Sequence, residues 1–105
     1  MKRINNKDRK QIRLTQKEVD NFKASVLSMD PNAKLYLFGS RTDMVKKGGD
    51  IDILIISKNI TRKDLSKIRW HFFEMFGEQK MDIIVDSGTM QTAFLQMIFP
   101  QAVEL

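Results

Sequence analysis

The sequence contains no cysteine and only one histidine among its 105 residues. Without cysteine there is no disulfide, no thiolate zinc site and no thiol nucleophile, and a single histidine argues against a His-based metal cluster or a hydrolytic triad. The acidic side chains are therefore the main chemical resource left to the chain.

Proline and glycine are scarce, at two and five residues, and no apolar run approaches the roughly 18 residues that a membrane span needs. The N-terminal stretch MKRINNKDRKQIR lacks the apolar segment of a secretory signal. With 42% hydrophobic and 30% charged residues, the composition is typical of one globular domain. We therefore expect a single domain in the cytoplasm, with no membrane partner.

The formal net charge of +5 is concentrated at one end of the chain. Residues 1–13 carry six basic side chains and one acidic one, whereas residues 14–105 carry 12 of each and are neutral. We predict a basic, flexible tail over 1–13 and a folded domain over 14–105. A charge run of this kind is more often solvated than a binding site, although a basic arm can add salt-sensitive affinity for RNA or an acidic partner.

Apolar spacing and turn residues divide the domain into alternating helices and strands. The spacing predicts a helix from Thr15 to Asp30, strands over 34–38 and 50–57, a helix from Thr61 to Gly77, a strand over 80–86 and a helix over 89–99. Residues 102–105 form either a short edge strand or a frayed end. Trp70 lies off the apolar stripe of its helix, so it either lies flat on the surface or faces a partner.

Two carboxylates open the second predicted strand. Asp50 and Asp52 leave the same face of that strand, with Cα atoms about 6.6 Å apart. Ile51 and Ile53 hold the strand in the core, so these like charges lie beside apolar surface and are unfavourable unless a cation or basic group neutralises them. Asp82 has a similar setting in the next strand. Because Mg²⁺ prefers oxygen ligands and leaves places for substrate phosphates, the pattern fits a magnesium-phosphate site. By itself it fits a strand-end surface pair or a calcium site equally well.

The preceding strand ends in Gly39 and Ser40. Glycine lets the backbone approach a phosphate closely, and Ser40 offers an N–H and a hydroxyl at the start of a helix. The run Phe38-Gly39-Ser40, nine intervening residues and then Asp50-Ile51-Asp52-Ile53 resembles the signature of the DNA polymerase β-like nucleotidyltransferase superfamily. The similarity covers roughly residues 34–86.

This resemblance implies an α/β (α+β) fold, with a palm-like mixed sheet and helices packed on one face. It implies that Asp50, Asp52 and Asp82 are the catalytic residues and ligate two Mg²⁺ ions, while the nucleoside triphosphate, such as ATP, contacts Gly39, Ser40 and Arg41. Many family members have a basic residue and a glycine shortly after the Gly-Ser-Arg run. This chain has Asp43 and Met44 there, with Lys46 or Lys47 as substitutes.

The short chain is most similar to the minimal nucleotidyltransferases, the MntA-like antitoxins paired with a HEPN-domain protein. That resemblance implies transfer of AMP from ATP to a tyrosine hydroxyl of a HEPN toxin, within a toxin-antitoxin pair. The alternatives are a non-catalytic antitoxin that neutralises its partner by binding it, and an RNA-directed nucleotidyltransferase that uses the basic tail. A homo-oligomer is compatible with each of these hypotheses.

Overall fold

The computed structural model describes residues 11–105, in which three helices and four strands are joined by short turns. The helices are α1 (Gln16–Met29), α2 (Arg62–Phe76) and α3 (Ala93–Ile98), the strands are β1 (Lys34–Phe38), β2 (Ile51–Ile56), β3 (Met81–Asp86) and β4 (Val103–Glu104), and 3₁₀ turns cover Gly39–Thr42 and Phe99–Gln101. The predicted order of elements is confirmed. None of these described helices is long and apolar enough to cross a membrane.

The four strands form one mixed sheet in the order β3-β2-β1-β4. β2 runs antiparallel to β1 and parallel to β3, while β4 pairs antiparallel with the other side of β1. The C-terminal residues therefore make the short edge strand, which was one of the two predicted alternatives. The mixed sheet with its three helices confirms the α+β class.

Capping residues fix where the two long helices begin. The Thr15 hydroxyl accepts the Glu18 N–H (3.1 Å), and the Glu18 carboxylate accepts the Thr15 N–H (2.9 Å). At the start of α2, the Asp64 carboxylate accepts the Thr61 N–H (2.9 Å). These bonds satisfy backbone donors that have no partner inside a helix. α2 ends at Gly77, whose positive φ of 84° suits glycine.

The main core lies between α1, α2 and one face of the sheet. Phe22 and Phe72, both completely buried, stack with their ring centroids 4.6 Å apart and join the two helices. The sheet contributes alternate residues to this core: Leu35, Leu37, Ile51, Ile53, Ile55, Met81 and Ile83. The strand alternation predicted for β2 is therefore confirmed, with its three isoleucines of odd number on the helix side.

The third helix packs on the opposite face of the sheet. Leu95 of α3 joins a second apolar cluster with Tyr36, Phe38 and Leu54. The expectation of helices on one face thus holds for the two long helices and is wrong for α3. The physical reason is that β1 and the second half of β2 are apolar on both faces, so the second face also needs cover.

The loop before α3 is longer than predicted. The Asp86 carboxylate accepts the N–H groups of Gly88 (2.7 Å) and Met90 (3.1 Å), and Met90 has a positive φ of 52°. These contacts form a turn that excludes helix, so α3 begins at Ala93 rather than at Thr89.

The end of the predicted tail belongs to the domain. Ile12 packs against the main core, and Arg13 forms hydrogen bonds with the loop that follows β1. Ile12 and Arg13 therefore belong to the folded domain, although the tail was expected to extend through residue 13. The rest of the predicted tail, residues 1–10, lies outside the described residues.

Candidate active site

Asp52 and Asp82 are direct partners across the parallel ladder between β2 and β3. Side chains at paired positions leave the same face of a sheet, so the two carboxylates lie side by side, as the sequence analysis expected. They lie on the same face as Leu54, which packs against α3. They are nearer the end of the sheet than Leu54, and there Asp52 is half-buried and Asp82 is exposed. The fold thus leaves this carboxylate pair accessible.

The Gly-Ser turn touches this carboxylate pair directly. Gly39 has a φ of 78°, and a Cβ added there would collide with Oδ2 of Asp52. Phe38, the residue just before Gly39, is the cross-strand partner of Asp52. Glycine is therefore required at position 39 for two reasons, its backbone conformation and the space that the carboxylate occupies.

The local electrostatics favour a cation. Burial raises the pKa of Asp52 above its usual value, and the charges of Asp82 and Asp50, with a hydrogen bond to Asp82, raise it further. These causes all act in the same direction and disfavour the ionised form of Asp52. A divalent cation would relieve this repulsion, because it favours the ionised carboxylates.

The three predicted carboxylates do not converge on one point. Among residues 11–105, no three or more His, Cys, Asp or Glu side chains are arranged to hold a metal ion. Asp52 and Asp82 form the close pair, whereas the exposed Asp50 acts on Asp52 through its charge. The all-oxygen donor set and the mutual repulsion of the carboxylates nevertheless fit a hard divalent cation such as Mg²⁺.

A compact turn presents Ser40 beside the carboxylates. The Thr42 hydroxyl donates to the Gly39 carbonyl (2.7 Å), and the Asp43 N–H donates to the Ser40 carbonyl (3.1 Å). Gly49 has a φ of 93°, and a Cβ there would collide with Oγ of Ser40. The Ser40 hydroxyl therefore lies against the second glycine of the Gly48-Gly49 pair.

Arg41, expected to contact the triphosphate, is used differently in this structure. Its Nη1 donates to the Arg13 carbonyl (2.9 Å), and its Nε donates to the Gly49 carbonyl (3.3 Å). Arg13 in turn donates to the carbonyls of Asp43 and Ser40. Sequence reasoning missed Arg13 because it lies outside the motif and within a basic run that resembles a solvated tail.

Two cavities lie near the carboxylates. The larger, of about 490 Å³, separates the Gly-Ser turn from α3 and is lined on opposite sides by Ser40 and Lys46 and by Phe94 and Met97. The smaller, of about 290 Å³, is lined by Asp50, Asp82, Arg69, Phe73 and Lys80. The smaller cavity thus includes Asp50 and Asp82, whereas the larger one approaches the carboxylates through Gly39, which lies against Asp52. Met97 is 64% exposed at the larger cavity, because Leu95 is the residue that α3 buries.

Comparison with known proteins agrees with this geometry. A search of curated proteins finds no match to the chain. The family model described as a nucleotidyltransferase domain matches residues 19–94, which include the Gly-Ser turn and all three aspartates. Because this match extends over well more than half of the sequence, the chain belongs to the nucleotidyltransferase domain family.

Proposed function

We propose that this protein transfers AMP from ATP to a hydroxyl group of a partner protein and that the reaction requires Mg²⁺. The observation that carries the proposal is the contact between the Gly39 turn and the carboxylate of Asp52, which is itself paired with Asp82. A glycine turn that touches one of two paired carboxylates suits a triphosphate with its cation.

The donor nucleotide is proposed to occupy the larger cavity. Its volume of about 490 Å³ falls in the usual range of small-molecule sites, about 300–1,000 Å³. Ser40 and Lys46 form the polar part of the lining and suit the phosphates. Phe94 and Met97, 45% and 64% exposed, form the apolar part and suit the face of a nucleobase.

The carboxylates are proposed to serve the reacting end of the nucleotide. Asp50, Asp52 and Asp82 would hold the two Mg²⁺ ions, which when bound lower the pKa of the attacking hydroxyl and neutralise the triphosphate. Asp82, exposed beside the smaller cavity, is placed to accept the proton from an acceptor that enters there. The hydroxyl oxygen then bonds to the α-phosphorus, the bond from that phosphorus to the bridging oxygen breaks, and pyrophosphate leaves.

The acceptor is proposed to be a tyrosine of a HEPN-domain toxin, which makes this protein the antitoxin of the pair. The resemblance to the minimal nucleotidyltransferases supports this assignment. The smaller cavity, about 290 Å³ and lined by Asp50 and Asp82, offers an approach for a side chain that is separate from the larger cavity.

Label transfer tests the proposal. The pure protein is incubated with its neighbour-encoded partner, Mg²⁺ and ATP labelled at the α-phosphate, and protein-bound label is counted. We expect label on the partner, and a loss of about a thousandfold in Asp52→Asn, a magnitude typical of removing transition-state charge stabilisation. Asp20→Asn, which changes an exposed aspartate on α1, is the matched control and retains activity. Transfer that survives in Asp52→Asn contradicts the proposal, and label on RNA instead supports the RNA-directed alternative.

A second candidate, a non-catalytic module that neutralises its partner by covering it, is favoured by one observation. Trp70 is 66% exposed on α2 and contacts Phe73 edge-on, with ring centroids 6.4 Å apart. Exposed tryptophan is characteristic of interfaces. A tight complex without label, weakened by Trp70→Ala, would support this candidate over catalysis.

A further inference from the structure

Arg13 is bonded to the Gly-Ser loop through both its main chain and its side chain. Its N–H donates to the Arg41 carbonyl (2.8 Å), its Nε to the Asp43 carbonyl (2.9 Å) and its Nη2 to the Ser40 carbonyl (3.1 Å). A single residue about 30 positions away in sequence thus binds three carbonyls of the loop. The loop conformation depends on a residue outside the motif.

Arg41 completes the contact from the loop side. Its guanidinium donates to the Arg13 carbonyl (2.9 Å) and to the Gly49 carbonyl (3.3 Å). The two contacts are therefore reciprocal. The Arg13 guanidinium donates to carbonyls of the loop, and the Arg41 guanidinium donates to the Arg13 carbonyl. Hydrogen bonds from charged donors are roughly twice as strong as neutral ones, so this arrangement restrains the loop at both of its ends.

The loop residues that Arg13 holds belong to the wall of the larger cavity. Ser40 and Asp43, whose carbonyls accept from the Arg13 side chain, both line that cavity, as does Thr42, which follows Arg41. Arg13 itself is not among the lining residues. Arg13 therefore acts on the cavity only through the loop.

We infer that Arg13 is a positioning residue for the triphosphate of the donor nucleotide. It does not touch the substrate. By binding the carbonyls of Ser40, Arg41 and Asp43, it holds the loop residues that line the cavity in place before the phosphates bind. This inference rests on the proposed function, because it requires that a triphosphate bind in the larger cavity.

Removing Arg13 therefore weakens phosphate binding more than it weakens the fold. In Arg13→Ala we expect the affinity for Mg·ATP to fall at least about tenfold, the equivalent of one lost charge-assisted hydrogen bond. Affinity for magnesium tripolyphosphate, which has no nucleoside, falls by the same factor. Arg13→Lys is intermediate, because one ammonium group cannot reach both side-chain acceptors in the fork geometry of a guanidinium.

The experiment combines calorimetry with amide hydrogen exchange on the full chain. Both ligands are titrated into the wild type, Arg13→Ala, Arg13→Lys and Arg62→Ala, the last being an exposed arginine on α2. We expect the loop amides of residues 40–44 to exchange faster in Arg13→Ala while the amides of β2 keep their protection. Millimolar guanidinium should partly restore binding to Arg13→Ala, and Arg62→Ala should behave as the wild type.

Three results would overturn the inference, and they are distinguishable. If Arg13→Ala binds both ligands as tightly as the wild type, the positioning role is wrong while the proposed function stands. If β2 amides lose protection together with the loop, Arg13 supports the fold and does not position the nucleotide. If the wild type binds neither ligand, the proposed function itself fails, and this inference fails with it.

Discussion

Replacing Gly39 with alanine separates backbone strain from damage to the site. Gly39 and Gly48 both have positive φ, 78° and 64°, so alanine is strained at either position. A Cβ on Gly39 would collide with the carboxylate of Asp52, whereas a Cβ on Gly48 would meet nothing within 4 Å. Gly48→Ala is therefore a matched control that carries the backbone strain without the collision.

The two variants should be similar in stability and different in activity. Holding a residue with a Cβ in a left-handed conformation costs about 1–2 kcal/mol, and each kcal/mol lowers the Tm of a domain of this size by about 4–8 °C. The collision adds little to this loss, because the terminal oxygen of Asp52 can rotate away. A displacement of about 1 Å in a reacting group, however, costs about a hundredfold in rate. We expect Gly39→Ala to lose at least that factor and Gly48→Ala to stay within a few fold of the wild type.

Thermal unfolding and label transfer from ATP to the partner are measured on the same protein preparations. Equal loss of activity in the two variants would refute the reasoning, since backbone strain alone would then account for the effect. A much larger fall in Tm for Gly39→Ala would also refute it, because Asp52 would then be unable to move aside. Only a similar Tm with a large difference in transfer supports a direct contact between Gly39 and Asp52.

Three further predictions follow from charge and packing. Asp52→Asn should raise the Tm at pH 7, because it removes a carboxylate whose pKa is raised in the folded state. This gain should shrink as the pH falls through that folded pKa, since the wild-type carboxyl then takes up a proton. Mg²⁺ should raise the Tm of the wild type only. Hydrogen bonds from Ser57 and Asn32 lower the pKa of the buried Asp30, so its stabilisation is present above its unfolded pKa and is lost as the pH falls through the folded value. Urea titrations at pH 5 and pH 3 should show a shallower loss of stability in Asp30→Asn. Phe72→Ala should destabilise by about 3–5 kcal/mol in urea at pH 7, because Phe72 is fully buried against Phe22.

Local sequence signals predict most of the fold. The capping residues at Thr15 and Thr61 and the apolar stripes that follow them define α1 and α2 to within a residue or two. The alternation in β2 fixes which face meets those helices, and therefore which face carries Asp52. These features can be predicted from the sequence because each depends on contacts within one element, or on one buried face.

The contacts between distant segments are what the sequence does not disclose. The placement of α3 on the second face depends on Leu95 and on Ile98 three residues later, a pair too short to form a stripe that the sequence alone assigns to one face. Arg13 reaches the Gly-Ser loop from 27 residues away through bonds to backbone carbonyls, which leave no pattern in the side chains. The sequence predicts that Asp52 and Asp82 lie close together. That they are direct partners depends on the register of β2 against β3, which is a contact between distant segments.

The fold places an unfavourable charge pair where it can be tolerated. Asp52 lies between Ile51 and Ile53, both completely buried, so it cannot leave the sheet without withdrawing those side chains from the main core. Burying large aliphatic side chains stabilises by about 1.5–3 kcal/mol each, enough to hold a half-buried carboxylate beside Asp82. The same anchoring prevents the pair from separating to relieve its repulsion. The core of β2 therefore maintains a carboxylate geometry that the charges alone would not adopt, and a bound cation or a proton on Asp52 relieves the repulsion.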